Sequence, residues 1–200
     1  MAPRVKIVGW GDSTTAGTPG FRSPVEAPPN GDGNEESQYS YWMMKEHPEW
    51  EVLNRGINGE RTDQILRRFS RDVGPERPKI VVVLGGVNDV YQGYPVEFTQ
   101  KNLAAMYSMV KDMEAMPIGC SVLPYDTMTP RQATARMEIN RWVETECGKR
   151  SIVFCDTAAA VSSTDDPDKL SGTPDGLHPD IEGYRSMSKA LSKSVEKSLA

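Results

Sequence analysis

One histidine of this chain stands in a setting suited to acid–base catalysis. His178 follows Asp175 across a glycine-containing turn, in the sequence Asp-Gly-Leu-His-Pro. A carboxylate three residues upstream can hold one ring nitrogen and stabilise the imidazolium that forms when the other nitrogen accepts a proton. The other histidine, His47, precedes a proline at the end of a predicted helix and is expected to be exposed. His178 is therefore the candidate general base.

A serine stands at a turn that could present it as a nucleophile. Ser13 comes soon after the predicted strand Val5–Gly9, in the sequence Gly-Trp-Gly-Asp-Ser-Thr-Thr. Ligands of open parallel sheets bind at the carboxyl ends of the strands, so Ser13 would face that crevice. Gly-Asp-Ser is also an ordinary turn sequence. Thr14 and Thr15 stand where a dinucleotide-binding motif and an α/β-hydrolase elbow, respectively, need glycine, which argues against both.

Two further strand ends carry groups that could bind a substrate oxygen. Gly59 lies in Asn-Gly-Glu-Arg-Thr, and its missing Cβ would let its backbone N–H approach an oxyanion closely. Asn88, in Gly-Gly-Val-Asn-Asp, offers a side-chain amide at the same edge of the sheet. Asn-Gly is equally typical of a tight turn, and an asparagine in this position is typical of a helix cap. Each residue alone leaves both interpretations open.

The elements that must position these residues follow an alternating pattern. Short runs of valine and isoleucine alternate with longer segments of helical period, which is typical of a parallel sheet with helices on both faces. The predicted fold class is therefore α/β. The five predicted strands are Val5–Gly9, Glu51–Asn54, Ile80–Leu84, Ile118–Leu123 and Ile152–Cys155. The four clusters stand at strand ends or before the last helix, so they can converge on one crevice.

Apolar periodicity also predicts helices between the strands. They contain the segments 65–73, 103–113, 135–143 and 181–195. The third begins with a capping box, because Thr129 can cap it, Pro130 suits its first turn and Gln132 completes the box. Thr18–Ser37, rich in proline and glycine, predicts a long loop insertion, with a substrate-facing role and a tolerated surface insertion as the alternatives.

The composition limits the class of protein. A length of 200 residues suits a single domain spanning 1–200. A net charge of −5 argues against a nucleic-acid partner. The longest aliphatic run, Ile80–Leu84, is too short for a membrane span, and the amino terminus lacks a signal-peptide core, so a cytoplasmic location is expected. The three cysteines lack the paired spacing of a zinc site, and no metal site is predicted.

Taken together, the clusters resemble the SGNH hydrolases, also called the GDSL esterase and lipase family. The four residues that name the family match Ser13, Gly59, Asn88 and His178, in the family's order. The matching blocks span positions 11 to 179, nearly the whole chain. Thr14 and Val87 depart from the residues common in the family, which bears on the substrate rather than the chemistry. The resemblance implies a three-layer α/β/α sandwich of flavodoxin-like type, with five parallel strands in the order 2-1-3-4-5.

The resemblance also implies a serine esterase that cleaves small or short-chain acyl esters through an acyl-enzyme. Ser13 would attack the carbonyl, His178 would take its proton, and Asp175 would orient the ring. The backbone N–H groups of Ser13 and Gly59 and the amide of Asn88 would form the oxyanion hole. This chemistry needs no metal or organic cofactor, and the sequence does not predict the oligomeric state. Two alternatives stay open: an acyltransferase with the same site, and a non-catalytic flavodoxin-like module that binds a small ligand.

Overall fold

Five parallel strands form the sheet on which the site is built. The computed structural model describes residues 4–200. The strands are β1 (Val5–Gly11), β4 (Trp50–Gly56), β5 (Ile80–Leu84), β6 (Met116–Cys120) and β7 (Val153–Cys155), while β2 (Phe21–Arg22) and β3 (Asp32–Gly33) form a separate antiparallel hairpin. The sheet order is β4-β1-β5-β6-β7. The predicted order 2-1-3-4-5 and the parallel pairing are thereby confirmed.

Helices cover both faces of this sheet. They are α1 (Ser13–Ala16), α2 (Tyr39–Glu46), α3 (Thr62–Arg67), α4 (Phe69–Asp72), α5 (Val87–Tyr91), α6 (Val96–Asp112), α7 (Pro130–Lys149), α8 (Thr157–Val161) and α9 (Ile181–Leu199), with short 3-10 helices at Glu35–Ser37 and Gly74–Glu76. Helices α2, α8 and α9 pack on one face, and α3, α6 and α7 pack on the other. The three-layer prediction is confirmed. Across residues 4–200, no helix combines the length and apolar character needed to span a bilayer.

The central strand β5 is covered by helices on both faces, which explains its uninterrupted apolar sequence. Ile80, Val82 and Leu84 point into the core beneath α2 and α9. Val81 and Val83 point into the core beneath α6 and α7. Since successive side chains of a strand point to opposite faces, a strand covered on both sides needs an apolar residue at every position.

The fourth sheet strand ends earlier than predicted. Ile118–Leu123 was expected, but β6 ends at Cys120. Its neighbour β7 ends at Cys155, so the chain beyond β6 soon runs out of a strand to pair with. The side chain of Asn140 takes over, because its oxygen accepts the N–H of Val122 at 2.7 Å and its nitrogen donates to the Val122 carbonyl at 3.0 Å. A side chain of α7 therefore satisfies the backbone where the strand prediction was wrong.

The predicted loop at 18–37 is largely irregular, as its proline and glycine content indicated. It contains only the β2–β3 hairpin and the 3-10 helix at Glu35–Ser37. The loop nevertheless contains the buried residues Phe21, Ser23 and Ser37, and the hydroxyl of Ser23 donates to the carbonyl of Gly56 at the carboxyl end of the edge strand β4. It is therefore placed next to the predicted site.

Candidate active site

Ser13 lies at the first position of α1, directly beyond the end of β1. Asp12 caps this helix, since its carboxylate accepts the N–H of Thr14 at 3.0 Å. A Cβ on Gly11 would come within 2.2 Å of the Leu84 carbonyl oxygen, so only glycine lets the turn pass this close to β5. The first N–H groups of a helix have no partner inside it. The N–H of Ser13 accordingly has no acceptor among residues 4–200 and is available to a ligand.

The Asp175–His178 pair has the geometry of an oriented base. The Nδ1 atom of His178 lies 2.7 Å from Oδ2 of Asp175. The other carboxylate oxygen accepts the backbone N–H groups of His178 at 2.8 Å and of Leu177 at 2.9 Å. Partial burial raises the pKa of Asp175, but the hydrogen bonds from His178 and Leu177 outweigh it and hold the pKa below its usual value. The carboxylate is therefore charged beside the ring at neutral pH.

The second ring nitrogen of His178 is left without a partner. Nε2 is buried and makes no hydrogen bond within the described part of the chain, so the hydroxyl of Ser13 is not bonded to it in this structure. Contacts of this kind in free enzymes often tighten only when substrate binds. The ring thus has one nitrogen fixed by a carboxylate and one unused acceptor or donor.

Other contacts bring the histidine loop to the side of the sheet where Ser13 lies. The hydroxyl of Tyr184, on α9, donates to the carbonyl of Thr18 at 3.2 Å. A cavity of about 390 Å³ is lined both by the start of the 18–37 loop and by Pro174 and Pro179 on either side of the histidine. The chain after Ser13 and the chain around His178 therefore share one depression of the surface.

Gly59 lies in the turn after β4 with its N–H unused. Its φ of 76° is in the left-handed region, which favours glycine. On one side of it, the N–H of Asn58 donates to the carboxylate of Glu26 at 2.9 Å; two residues beyond it, the N–H of Arg61 donates to the side chain of Gln64 at 3.0 Å. The N–H of Gly59 has no acceptor among residues 4–200, and a Cβ there would meet open space. This donor is therefore open to a ligand.

Asn88 adjoins the same turn from α5. Its Nδ2 donates to the carbonyl of Glu60 at 2.9 Å. An amide nitrogen carries two hydrogens, so one donor is left over. The next residue, Asp89, accepts the backbone N–H of Thr62 at 2.9 Å and the Thr62 hydroxyl at 2.5 Å. The structure thus brings Asn88 and the Gly59 turn together.

A buried arginine connects the two strand ends, and sequence reasoning missed it. Arg68 is 6% exposed and donates to the carbonyls of Gly11 and Arg55 at 2.6 and 2.7 Å and to the carboxylate of Glu60 at 2.6 Å. The single helix expected over 65–73 is divided at this residue into α3 and α4. Its pairing with Asp72 has the i,i+4 spacing of a helix, but helical periodicity carries no signal for the other three contacts, because those partners lie 8, 13 and 57 positions away in the chain.

Asp12, beside the candidate nucleophile, is an almost fully buried acid. It is 1% exposed, and its burial raises its pKa to about 7. The N–H of Thr14 lowers the pKa, the nearby Asp89 raises it, and the charge of Arg68 lowers it. Between the usual aspartate value and about 7, the folded protein holds a proton on Asp12 that the unfolded chain releases.

Asp12→Asn should therefore gain stability relative to the wild type as pH rises. In the wild type the folded state binds more protons, so its free energy of unfolding falls with rising pH through the window from about 4 to 7. Asparagine caps a helix as well as aspartate does and carries no charge. We expect the difference between variant and wild type to move in the variant's favour by about 1–3 kcal/mol from pH 5 to pH 8, measured by urea unfolding. An equal difference at both pH values would contradict the raised pKa.

Known proteins resemble this chain in sequence. Residues 10–186 match the family described as GDSL-like Lipase/Acylhydrolase. An acetylxylan esterase of Geobacillus stearothermophilus is 24% identical over 158 residues, which cover 72% of this chain and 71% of that protein. An arylesterase of Vibrio mimicus is 27% identical over 110 residues, 55% of this chain and 50% of that protein.

The fold agrees with these sequence matches. A G-D-S-L family protein from Desulfitobacterium hafniense has a TM-score of 0.79 and 25% identity, covering 96% of this chain and 99% of that one. The family match extends over most of the chain, from the end of β1 into α9. The chain therefore belongs to the GDSL-like lipase and acylhydrolase family, and it is a hydrolase that acts on ester bonds.

Proposed function

We propose that this esterase cleaves small, short-chain acyl esters through an acyl-enzyme on Ser13. The observation that carries the proposal is the His178 ring, with Nδ1 fixed by Asp175 at 2.7 Å and Nε2 buried without a partner. A base held in this way has a single nitrogen left for the nucleophile's proton. The proposal accordingly assigns that proton to the hydroxyl of Ser13.

The proposed reaction has two halves. The Ser13 hydroxyl attacks the ester carbonyl while His178 removes its proton, and the alcohol leaves as His178 returns that proton. Water then attacks the acyl-enzyme with His178 again as base. In both halves the tetrahedral oxygen would accept the unused N–H groups of Ser13 and Gly59 and the spare side-chain hydrogen of Asn88, which supports the assignment of these three donors to the oxyanion hole.

The name of one relative supports a short acyl group. The Geobacillus protein is named an acetylxylan esterase, which describes an acetyl ester. We expect kcat/KM on p-nitrophenyl esters to be highest for acetate and to fall steadily as the acyl chain lengthens. A burst of p-nitrophenol equal to the enzyme concentration would show that an acyl-enzyme accumulates. A maximum at octanoate or beyond would contradict the short-chain assignment.

Asn88→Ala should lower kcat by about 100- to 1000-fold, because it removes one donor to the developing oxyanion. The KM should change little, since this donor acts mainly on the charge that forms in the transition state. Steady-state kinetics on p-nitrophenyl acetate measures both constants.

A second asparagine offers a matched control. Asn102 is also buried and donates to the hydroxyl of Thr62 at 3.0 Å, at the start of the helix that follows the same turn, but it has no proposed role toward the substrate. Asn102→Ala should therefore cost much less in kcat than Asn88→Ala. Equal losses would mean that the amides support the turn, and that Asn88 is not an oxyanion donor.

A further inference from the structure

We infer that the 18–37 loop positions the turn after β4 that carries the proposed oxyanion donor Gly59. Glu26 is the positioning residue, and Ser23 supports it. The inference rests on the proposed function, since it concerns the Gly59 N–H assigned there to the oxyanion. It assigns the loop a functional role that acts through the turn after β4 rather than by facing the substrate. The loop acts on the turn that follows β4.

Ser23 fixes the start of that turn. It is 0% exposed, and its hydroxyl donates to the carbonyl of Gly56 at 2.6 Å. Gly56 is the last residue of β4, and a Cβ there would lie 2.1 Å from the backbone nitrogen of Ala16. The start of the turn therefore packs closely against α1 on one side and is hydrogen-bonded to the 18–37 loop on the other.

Glu26 holds the peptide that precedes the proposed donor. One carboxylate oxygen accepts the N–H of Asn58 at 2.9 Å, and the other accepts the N–H of Ser23 at 3.3 Å. On the far side of Gly59, the carbonyl of Glu60 is held by Asn88 at 2.9 Å. The peptide groups on either side of the Gly59 Cα atom therefore lie between two that are held by hydrogen bonds, at the N–H of Asn58 and at the carbonyl of Glu60. This arrangement sets the direction of the Gly59 N–H.

Glycine makes this support necessary. Gly59 has no side chain and a positive φ, and glycine is the residue whose φ and ψ angles are least restricted. The turn therefore needs contacts from elsewhere to hold one conformation. Without Glu26, the N–H of Asn58 would lose its acceptor, and the turn could rotate away from the productive geometry. A displacement of about 1 Å in a catalytic group can cost up to about 100-fold in rate.

The benefit of Glu26 must be geometric, because its charge works against the reaction. A carboxylate near a developing oxyanion repels it, so a neutral acceptor in the same place should serve at least as well. Glutamine keeps an oxygen that can accept the N–H of Asn58 at 2.9 Å, and it gives up only the longer acceptor contact of 3.3 Å with the N–H of Ser23. Glu26→Gln should therefore preserve turnover, whereas Glu26→Ala should not.

The test measures kcat and KM for short-chain ester hydrolysis per active site, with sites counted by a fluorophosphonate that labels serine. Glu26→Ala should lower kcat by about 10- to 50-fold and leave KM within about threefold of the wild type. Ser23→Ala should also lower kcat with little change in KM, but by a smaller factor. Glu26→Gln should restore kcat to within about twofold of the wild type. Glu35→Ala is the matched control, since this carboxylate of the same loop is exposed and makes no side-chain hydrogen bond within residues 4–200.

Each other outcome has a definite meaning. An unchanged kcat in Glu26→Ala, a change in KM alone, or failure of glutamine to restore turnover would overturn the inference. Counting active sites removes any loss that comes only from misfolded protein. A wild type without esterase activity would instead overturn the proposed function, and the inference with it, so the two failures are distinguishable.

Discussion

Ser13→Ala should reduce kcat on p-nitrophenyl acetate by about 10⁵- to 10⁶-fold, the loss expected when the nucleophile of a serine hydrolase is removed. His178→Ala should lower kcat to the same residual value, because a nucleophile and its base act as one unit and the effects of removing them do not add. Residual catalysis would come from binding and from the oxyanion donors, which both variants keep. Stopped-flow and steady-state assays at matched protein concentration measure the effect.

A chemical probe separates loss of the nucleophile from loss of the fold. A fluorophosphonate should label the wild type at a single serine and leave Ser13→Ala unlabelled. Ser198→Ala serves as the control, since this serine lies near the end of α9 and, within residues 4–200, its hydroxyl donates only to the Ser194 carbonyl. Near-normal hydrolysis by Ser13→Ala, or labelling that moves to another serine without loss of rate, would reject Ser13 as the nucleophile.

Sequence patterns predicted the elements well wherever local physics determines them. The start of α7 is one case, because the capping box of Thr129 and Gln132 forms as expected, with Thr129 N–H to Gln132 at 2.8 Å and the reciprocal bond at 3.3 Å. The unbroken apolar run of β5 likewise required a central strand. The strand order came from the family resemblance, because periodicity does not fix which strands are neighbours. That residues 1–200 form one domain stays a prediction.

The site residues could be predicted from their types and spacing. The residues that hold the surrounding backbone in place, Arg68 and Glu26, could not. Asp175 and His178 are three residues apart, so their contact is local and the sequence could indicate it. Arg68 and Glu26 act on backbone atoms of distant segments, and such contacts depend on how the elements pack. Neither carries a sequence signal of its own, since a charged residue in a helix or loop is usually solvated.

Asp175→Asn should lower kcat by about 10⁴-fold while leaving the histidine loop in place. The asparagine oxygen can still accept the backbone N–H groups of Leu177 and His178, which Oδ1 of Asp175 accepts at 2.9 and 2.8 Å. Its amide nitrogen would then face Nδ1 of His178 as a donor, where the wild type has an acceptor at 2.7 Å. The ring would be driven to the tautomer with its proton on Nε2, and that nitrogen could no longer accept the proton of Ser13.

Asp126 provides the matched control for this variant, because it is bonded to the same loop but makes no hydrogen bond to the ring of His178 within residues 4–200. Its N–H donates to the carbonyl of Gly176 at 2.8 Å, and its carboxylate accepts the N–H of Leu170 at 3.1 Å. Asp126→Asn should therefore change kcat by only a few-fold. If Asp175→Asn retained most of its activity, the tautomer of His178 would not depend on the carboxylate. If both variants lost activity equally, the loop's conformation rather than the oriented ring would control the rate, and a 2.7 Å contact alone would not identify the base.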